Sequence, residues 1–513
     1  MSDTTKKYDL VVIGSGLGGL LCAYIFGKEG YKVCVLEKNN QIGGSLQTFV
    51  RDKQIFDTGV HYVGGLDKGQ PLHTFFSYFE LMDKLKIVRM DENGFEKITF
   101  GKEKKAFFYG MGYENFSQTM KGYFPNEADA IDKYCLDLQS TCAVFPMYNA
   151  DDADDSVTTE LLQLSAIDYF KNLTSNTELQ NVLAATNLLY AGVSDKTPFY
   201  VHALVVNSYM ESAYRFINGG GQIANLLARS IRAQGGVIVK YAEAEKIITN
   251  EEEALYVQTK DGRQFYGNYF ISGIHPASLM DMLDTPKIRN VYKNRIKTLE
   301  NTTSIFILNL ILKKHTIPYQ NYNIYHYDHW NVWDTFQYEE HEWPLSYAAF
   351  YPVHKQENPF VDSLTVMAYM RYDEVKPWEN TFNTIYQKGS RGESYEQFKE
   401  KKSKQLIRKL SENIPGLKEA IIGYYASTPL TYRDYIGTKE GSIYGILKDY
   451  HDPIRTFIAP RTRVRNVLIT GQNMHMHGIY GVTVSAIKTC AEVFGRSYLM
   501  DQIKACKVDP STV

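Results

Sequence analysis

An α/β fold, with one parallel Rossmann-type sheet assembled from separate stretches of the chain and an α+β body inserted between them, is predicted by three observations. Tyr8-Asp-Leu-Val-Val-Ile13 is a short apolar run of the kind buried on both faces of a parallel sheet, and Gly14-Ser-Gly16-Leu-Gly-Gly19 follows it at once, leading into helical spacing through Leu20, Leu21, Tyr24 and Ile25. Near the other end, Val467-Leu-Ile-Thr470-Gly471-Gln472-Asn473 repeats the passage from strand to glycine, and Gly478-Ile-Tyr-Gly481 opens a closing helix. Finally, 513 residues exceed one ordinary core at about 150 residues per domain.

Each part of the first block has a physical task. Gly14 makes the tight turn, Gly16 lets backbone approach a pyrophosphate, and Gly19 lets the helix pack on the strand. Leu17 and Gly18 open the helix, whose free N–H groups favour phosphate charge. A second apolar strand, Tyr31-Lys-Val-Cys-Val-Leu36, ends on Glu37 and Lys38, and the acid is placed to accept hydrogen bonds from an adenosine ribose. The βαβ unit serves FAD and NAD alike, and the residues after Lys38 decide between them.

Ile42-Gly43-Gly44-Ser45 comes directly after the ribose acid and is similar to the extended FAD site of glutathione-reductase-like flavoproteins. Gly43-Gly44-Ser-Leu-Gln-Thr-Phe49, followed by Phe56-Asp57-Thr58-Gly59-Val-His61-Tyr62-Val-Gly64, resembles the retinol saturase and phytoene desaturase family of flavin oxidoreductases. Retinol saturases carry a His where Gln47 stands and usually an acid where Asn473 stands; Asn473 can still bond a ribityl hydroxyl. The resemblance implies a glutathione-reductase-like FAD-binding domain from 1–70, 215–290 and 455–505, and a substrate-binding domain from 71–214 and 291–454. It also implies FAD held by Gly14, Gly16, Leu17, Gly18, Gly19, Glu37, Lys38, Gly43, Gly44, Ser45, Gly471, Gln472, Asn473, Gly478, Gly481 and Val482.

Between these blocks, 71–214 reads as mostly helical and irregular. Thr197 at N-cap with Pro198 at N1 starts a helix through Phe199-Tyr-Val-His-Ala-Leu-Val-Val206, apolar nearly all round. Such a helix is either core or the wall of an apolar tunnel. Arg215 to Gly221 leads into a further helix, and Asp261-Gly262 marks a hairpin. His275 before Pro276 reads as a loop side chain. Ser304 to Leu312 and 344–371 read as strands suited to the floor of a substrate domain. A helix around Phe398 to Leu410 carries Lys399, Lys401, Lys402, Lys404, Arg408 and Lys409, a solvated face that could also lie on an anionic membrane.

Composition narrows the function further. A balance of 56 Lys+Arg against 58 Asp+Glu supplies no basic field for nucleic acid. The 39 Tyr and 26 Phe suit an apolar ligand as well as a core. The six cysteines show no paired or zinc spacing, so no metal is expected, a disulfide reductase is disfavoured and reduced cytosolic thiols are expected. With no apolar leader and no run near the roughly 18 residues of a membrane span, the expectation is a cytoplasmic protein, peripheral at most at the inner face of the membrane.

The leading expectation is therefore an FAD-dependent oxidoreductase acting on CH–CH groups of an apolar isoprenoid polyene, as carotenoid desaturases and retinol saturases do. The alternatives are a carotenoid cis-trans isomerase using reduced FAD and an amine-oxidase-like flavoenzyme. Saturation needs an acid and desaturation a base, and His61, Tyr62, His475, His477 and Tyr480 beside the flavin motifs are the candidates. The direction of reaction and the electron donor or acceptor stay open.

Overall fold

The computed structural model describes residues 7–101, 105–153, 157–354, 359–385 and 387–507. Its first sheet has seven strands. Val237–Val239, Val33–Leu36, Lys7–Ile13, the end of Gln264–Ser272 and Val467–Ile469 lie side by side and parallel, with Leu10 opposite Val33 and Phe270 opposite both Val11 and Val467. Ala254–Thr259 and Ala244–Thr249 extend it in antiparallel sense through the Asp261-Gly262 hairpin. The parallel strands are apolar without alternation because both faces are covered, one by helices and the other by the Ala244–Thr249 and Ala254–Thr259 strands with Pro276–Met282. The helix Leu17–Lys28 is buried from Leu17 through Phe26, enclosed by the sheet, Gly221–Ala233 and the closing helix Gly478–Phe494.

The second sheet also has seven strands, in the order Ile421–Ser427, Ser304–Leu312, Ser363–Met370, Ser346–Phe350, Asn323–Tyr327, Glu96–Phe100 and Lys105–Tyr109. Only the Asn323–Tyr327 and Glu96–Phe100 pair is parallel. Two of its strands come from the stretch expected to be helical. Glu96–Phe100 and Lys105–Tyr109 are short; the first is held by pairing with Asn323–Tyr327, more than two hundred residues later, and the second, at the sheet edge, by pairing with the first. Helices Ala128–Ala143 and Phe199–Glu211 pack together beside this sheet.

Two local expectations shift. The helix after Thr197 is capped by Pro198, whose backbone is extended, and Phe199 is its first helical residue. The Thr197 hydroxyl instead accepts from Val193 N at 2.7 Å, which closes the preceding turn. The lysine-rich helix, Glu393–Asn413, is not a free basic face: Lys402 is buried against Glu374 and under the Trp343 ring, and Lys399, Lys401, Lys404 and Lys409 pair with Glu396, Glu340, Glu400 and Asp328.

The junction of the first strand and helix is the tightest point of the first sheet. A methyl group on Gly19 would lie 2.2 Å from the carbonyl oxygen of Gly14, and neither backbone can withdraw. In the same helix, a methyl on Gly27 would meet the Gln234 side chain, most closely its flexible amide end. Gly19→Ala should therefore cost about 1–3 kcal/mol or more. Gly27→Ala should be near neutral, because alanine recovers about 0.5–1 kcal/mol of helix propensity. Parallel thermal unfolding of the two variants checks this, and equal midpoints would contradict it.

Candidate functional site

Two cavities meet at the centre of the molecule. The larger, with about 1690 Å³ of unfilled space partly open to solvent, runs along the carboxyl ends of the parallel strands. The Gly14 turn, Glu37 and Lys38, the Gly43-Gly44-Ser45 loop, and Gly471, Gln472, Asn473, Gly478 and Val482 all line it, as do Gly16, Leu17 and Gly18. The structure thus gathers three stretches of chain that the sequence keeps far apart. Of the residues assigned to the cofactor, Gly19 and Gly481 lie outside this wall. Gly19 packs helix on strand, and Gly481, in the first turn of the last helix, lines the adjoining apolar cavity, where a Cβ would strike Met476 backbone at 2.6 Å.

The cradle is built by backbone approaching backbone. Gly14 has φ +94°, a left-handed conformation that glycine adopts without a steric cost. Gly43 N donates to Ser15 O at 2.9 Å, and a Cβ on Gly44 would lie 3.2 Å from Gly16 Cα. Gly16 faces open space, with no atom within 4 Å of where its Cβ would stand. Leu20 N takes Gly16 O at 3.0 Å, so the amides before it in the helix point into the cavity end without helical partners. Glu37 accepts from Ser15 N at 3.2 Å and from the Ser15 hydroxyl with one oxygen, and from Asn39 N at 2.8 Å with the other. It braces the glycine turn as well as facing the cavity. Lys38 Nζ donates to Asp434 O at 2.9 Å, and burial lowers its pKa. Asn473 Oδ1 is taken by Ile446 N at 3.1 Å, and the Gln47 amide donates to Gln41 O at 2.9 Å.

The second cavity, about 990 Å³ of unfilled space, is apolar and shares Gly59, Val60, Tyr444, Gly478 and Ile479 with the first. Ile305, Tyr325, Ala348, Phe350, Met367 and Tyr369 of the second sheet form one wall, and Leu204, Val205, Ser208 and Tyr209 of the Phe199–Glu211 helix form another. That helix is core and tunnel wall together. No Asp, Glu, Lys or Arg is among the described residues that line this cavity.

Four of the five proton-handling candidates reach it. His61 stacks on Phe350 with centroids 4.5 Å apart, its Nε2 has no hydrogen-bond partner, and burial pushes its pKa down to about 3. His477 Nε2 donates to Leu189 O at 2.9 Å, and burial pushes it down to about 4. Both imidazoles are therefore neutral at ordinary pH. Tyr480 donates to Tyr148 O, which commits its proton. Tyr62 Oη lies 2.6 Å from Tyr325 Oη. His475 stands behind the cavity wall, 5.2 Å from the Phe457 ring and against a smaller void. His275 is the cap of the next helix, accepting from Ala277 N at 3.2 Å.

Sequence reasoning missed Tyr325, Tyr209, Phe350 and the Tyr432–Thr438 side of the dinucleotide cavity. Their only signal was an excess of aromatic residues, which does not say which ones face inward. Among the described residues no cluster of His, Cys, Asp or Glu is arranged to hold a metal.

Comparison with known proteins agrees with this geometry. Residues 12–79 match the model of an NAD(P)-binding Rossmann-like domain. The all-trans-retinol 13,14-reductase of Danio rerio is 26% identical over 538 residues, covering 96% of this chain and 86% of its own. Prolycopene isomerase 1 of an Oncidium hybrid cultivar is 23% identical over 472 residues, covering 86% and 76%. The solved structure of a cofactor-binding variant of putrescine oxidase superposes with a TM-score of 0.65 at 13% identity, covering 96% of this chain and 99% of the other, a likeness of fold alone. Fold and cradle together define a two-body protein whose first body is a Rossmann-like dinucleotide-binding domain. Within that class the chain is similar to the retinol saturase and carotenoid desaturase family, as its glycine blocks indicated.

Because the Gly16 Cβ position is open, Gly16→Val should fold normally yet project two methyl groups into the cradle. The parent should purify with a bound dinucleotide and the variant with little or none, read from visible absorbance at an unchanged thermal midpoint. Full occupancy would show that the diphosphate does not pass Gly16.

Proposed function

We propose that this protein is an FAD-dependent oxidoreductase acting on carbon–carbon bonds of an apolar isoprenoid polyene. One observation carries the reading: the dinucleotide cradle opens, past Gly59, Val60, Tyr444, Gly478 and Ile479, into an apolar cavity whose described lining bears no charged side chain. A cationic amine would lose its hydration there without a counter-charge, whereas a polyene has no hydration of that kind to lose. The relatives named for retinol reduction and prolycopene isomerisation support the same substrate class.

Flavin, when bound, would supply hydride exchange with the substrate. The chain's own residues do the rest. The Gly14–Gly18 turn and the first amides of its helix would hold the diphosphate of such a group, and Glu37, on the same wall, would accept from its ribose. Ile305, Met367, Tyr369 and Phe350 grip the hydrocarbon and exclude water from its reacting carbons. Gly478, at φ +72° with no atom within 4 Å of its Cβ position, leaves the junction of the two cavities clear for close approach.

Incubating oxidised and prereduced protein with a polyene panel, followed by mass spectrometry, tests the reading. Gain or loss of two hydrogens is expected. Altered geometry at constant mass would make the protein an isomerase, and turnover of small amines with inert polyenes would replace the reading with an amine oxidase.

An apolar substrate of this kind arrives from a lipid phase. No helix among the described residues is long and apolar enough to cross a membrane. Val291, Ile454 and Phe457, at 81%, 77% and 49% exposure, stand on segments tied together where Arg295 donates to Arg455 O at 2.8 Å. Exposed Lys287, Arg289, Arg455, Arg463 and Arg465 flank them in sequence, and apolar tips among cations suit an anionic bilayer. Phe457 touches His475, whose small void shares Tyr444, Met476 and His477 with the apolar cavity. The double variant Ile454→Glu, Phe457→Glu should lose co-sedimentation with vesicles containing anionic phospholipid while still acting on detergent-dispersed polyene. Retained sedimentation would show that another face meets the lipid.

A further inference from the structure

A chemistry that adds or removes hydrogen across a carbon–carbon bond must move a proton as well as a hydride, and the cavity wall offers few groups able to do so. His61 and His477 are held neutral by burial, and the Tyr480 hydroxyl donates its hydrogen bond to the Tyr148 carbonyl. The Tyr62 and Tyr325 hydroxyls remain, 2.6 Å apart on the cavity wall, and a carboxyl group stands behind them.

That group is Glu96, the first residue of the strand Glu96–Phe100. It lies beside Asn323 in the parallel pairing with Asn323–Tyr327, and because alternate residues share a face, Glu96, Asn323 and Tyr325 project to the same side of the sheet. Glu96 has no exposed surface. Its Oε1 accepts from Asn323 Nδ2 at 3.5 Å, and its Oε2 has no partner in hydrogen-bond geometry, although the Tyr62 hydroxyl is near enough to act on its ionisation. Buried Arg215 donates to Asn323 Oδ1 at 3.0 Å and to Gln320 O at 2.9 Å, so this cation acts on the carboxyl across an intervening amide. The other titratable groups that face Glu96 are the phenols of Tyr62, Tyr109, Tyr209 and Tyr325, all pushed upward and neutral. Burial pushes Glu96 itself up to about 8, with Tyr62, Asn323 and Arg215 acting in the opposite sense, so the carboxyl holds a proton at neutral pH.

We propose that Glu96 is the proton reservoir of the apolar cavity, exchanging a proton with the substrate carbon through the Tyr62–Tyr325 hydroxyl pair. The inference rests on the polyene reading above. In the reducing direction, hydride arriving from reduced flavin bonds to one carbon of a double bond, and the π pair moves to the other carbon. That carbon then forms its C–H bond with a phenolic proton of the Tyr62–Tyr325 pair. The phenol is restored by the Glu96 proton, and the carboxylate left behind recovers a proton from water between turnovers. Desaturation runs the same transfers backward, with Glu96 as final proton acceptor and oxidised flavin as hydride acceptor. Glu96 touches no substrate; it acts through Tyr62.

The test uses the flavin-loaded protein and the near-isosteric Glu96→Gln, with Tyr62→Phe as a second variant. Infrared difference spectra of the wild type should show a protonated-carboxyl C=O band that disappears as pH rises through about 8, absent from Glu96→Gln. In polyene reduction, the wild-type rate should fall over the same range, because only the protonated carboxyl donates. Glu96→Gln should be slower by about 10²–10⁴-fold and lose that pH dependence at unchanged KM. Tyr62→Phe should keep the band but lose rate. A band unaltered in Glu96→Gln, or a wild-type rate and pH profile in that variant, overturns the inference. A protein that keeps the titrating band but turns over no polyene overturns the polyene reading, and with it Glu96's role toward substrate, whereas polyene turnover indifferent to Glu96→Gln overturns the relay alone.

Discussion

The close approach of glycine backbones around the carboxyl ends of the parallel strands is the constraint on which the rest of the site depends. The Gly14 carbonyl lies where no Gly19 side chain could fit, Gly44 rests against Gly16, and Gly18 against Gly471. These contacts draw the first, second and last blocks of the sheet to one point. They leave helical amides facing an open channel and bring the end of the chain, with Gly478, beside Gly59 and Val60 of the start. A side chain on Gly18, Gly19 or Gly44 would press on neighbouring backbone before it touched a ligand, whereas one on Gly16 would enter the channel itself.

From that point outward the governing quantity is the low dielectric of the apolar cavity. Burial drives every titratable group there toward its neutral form: the imidazoles of His61 and His477 downward, and the phenols of Tyr62, Tyr325 and Tyr369 upward. A site of this character is suited to an uncharged hydrocarbon and poorly suited to stabilising ions. Proton movement within it must pass between neutral donors in contact, and this gives the Tyr62–Tyr325 pair more weight than either histidine.

Much of the dinucleotide side was readable because its signals are local. A strand followed by glycines, a helix start and a terminal acid are encoded within some thirty residues, and the chain pairs them as that order requires. The same short-range logic misplaced the start of the Phe199–Glu211 helix by one residue, since the Thr197 hydroxyl was claimed by Val193. It could not tell that Gly481 lines the apolar cavity rather than the dinucleotide one.

Taken alone, the amino-acid sequence determined the flavoprotein-type sheet, its glycine turns, its resemblance to retinol saturases and carotenoid desaturases, and the apolar character of the remainder. Tertiary structure alone decided which aromatic residues surround the cavity, that His475 stands behind it, and that Glu96 comes to lie beside Asn323 and Tyr62. The reason is physical. Periodicity and turn chemistry report the conformation of a few neighbouring residues, whereas the burial and ionisation of Glu96 depend on strands and loops brought together from distant parts of the chain, which no local pattern records.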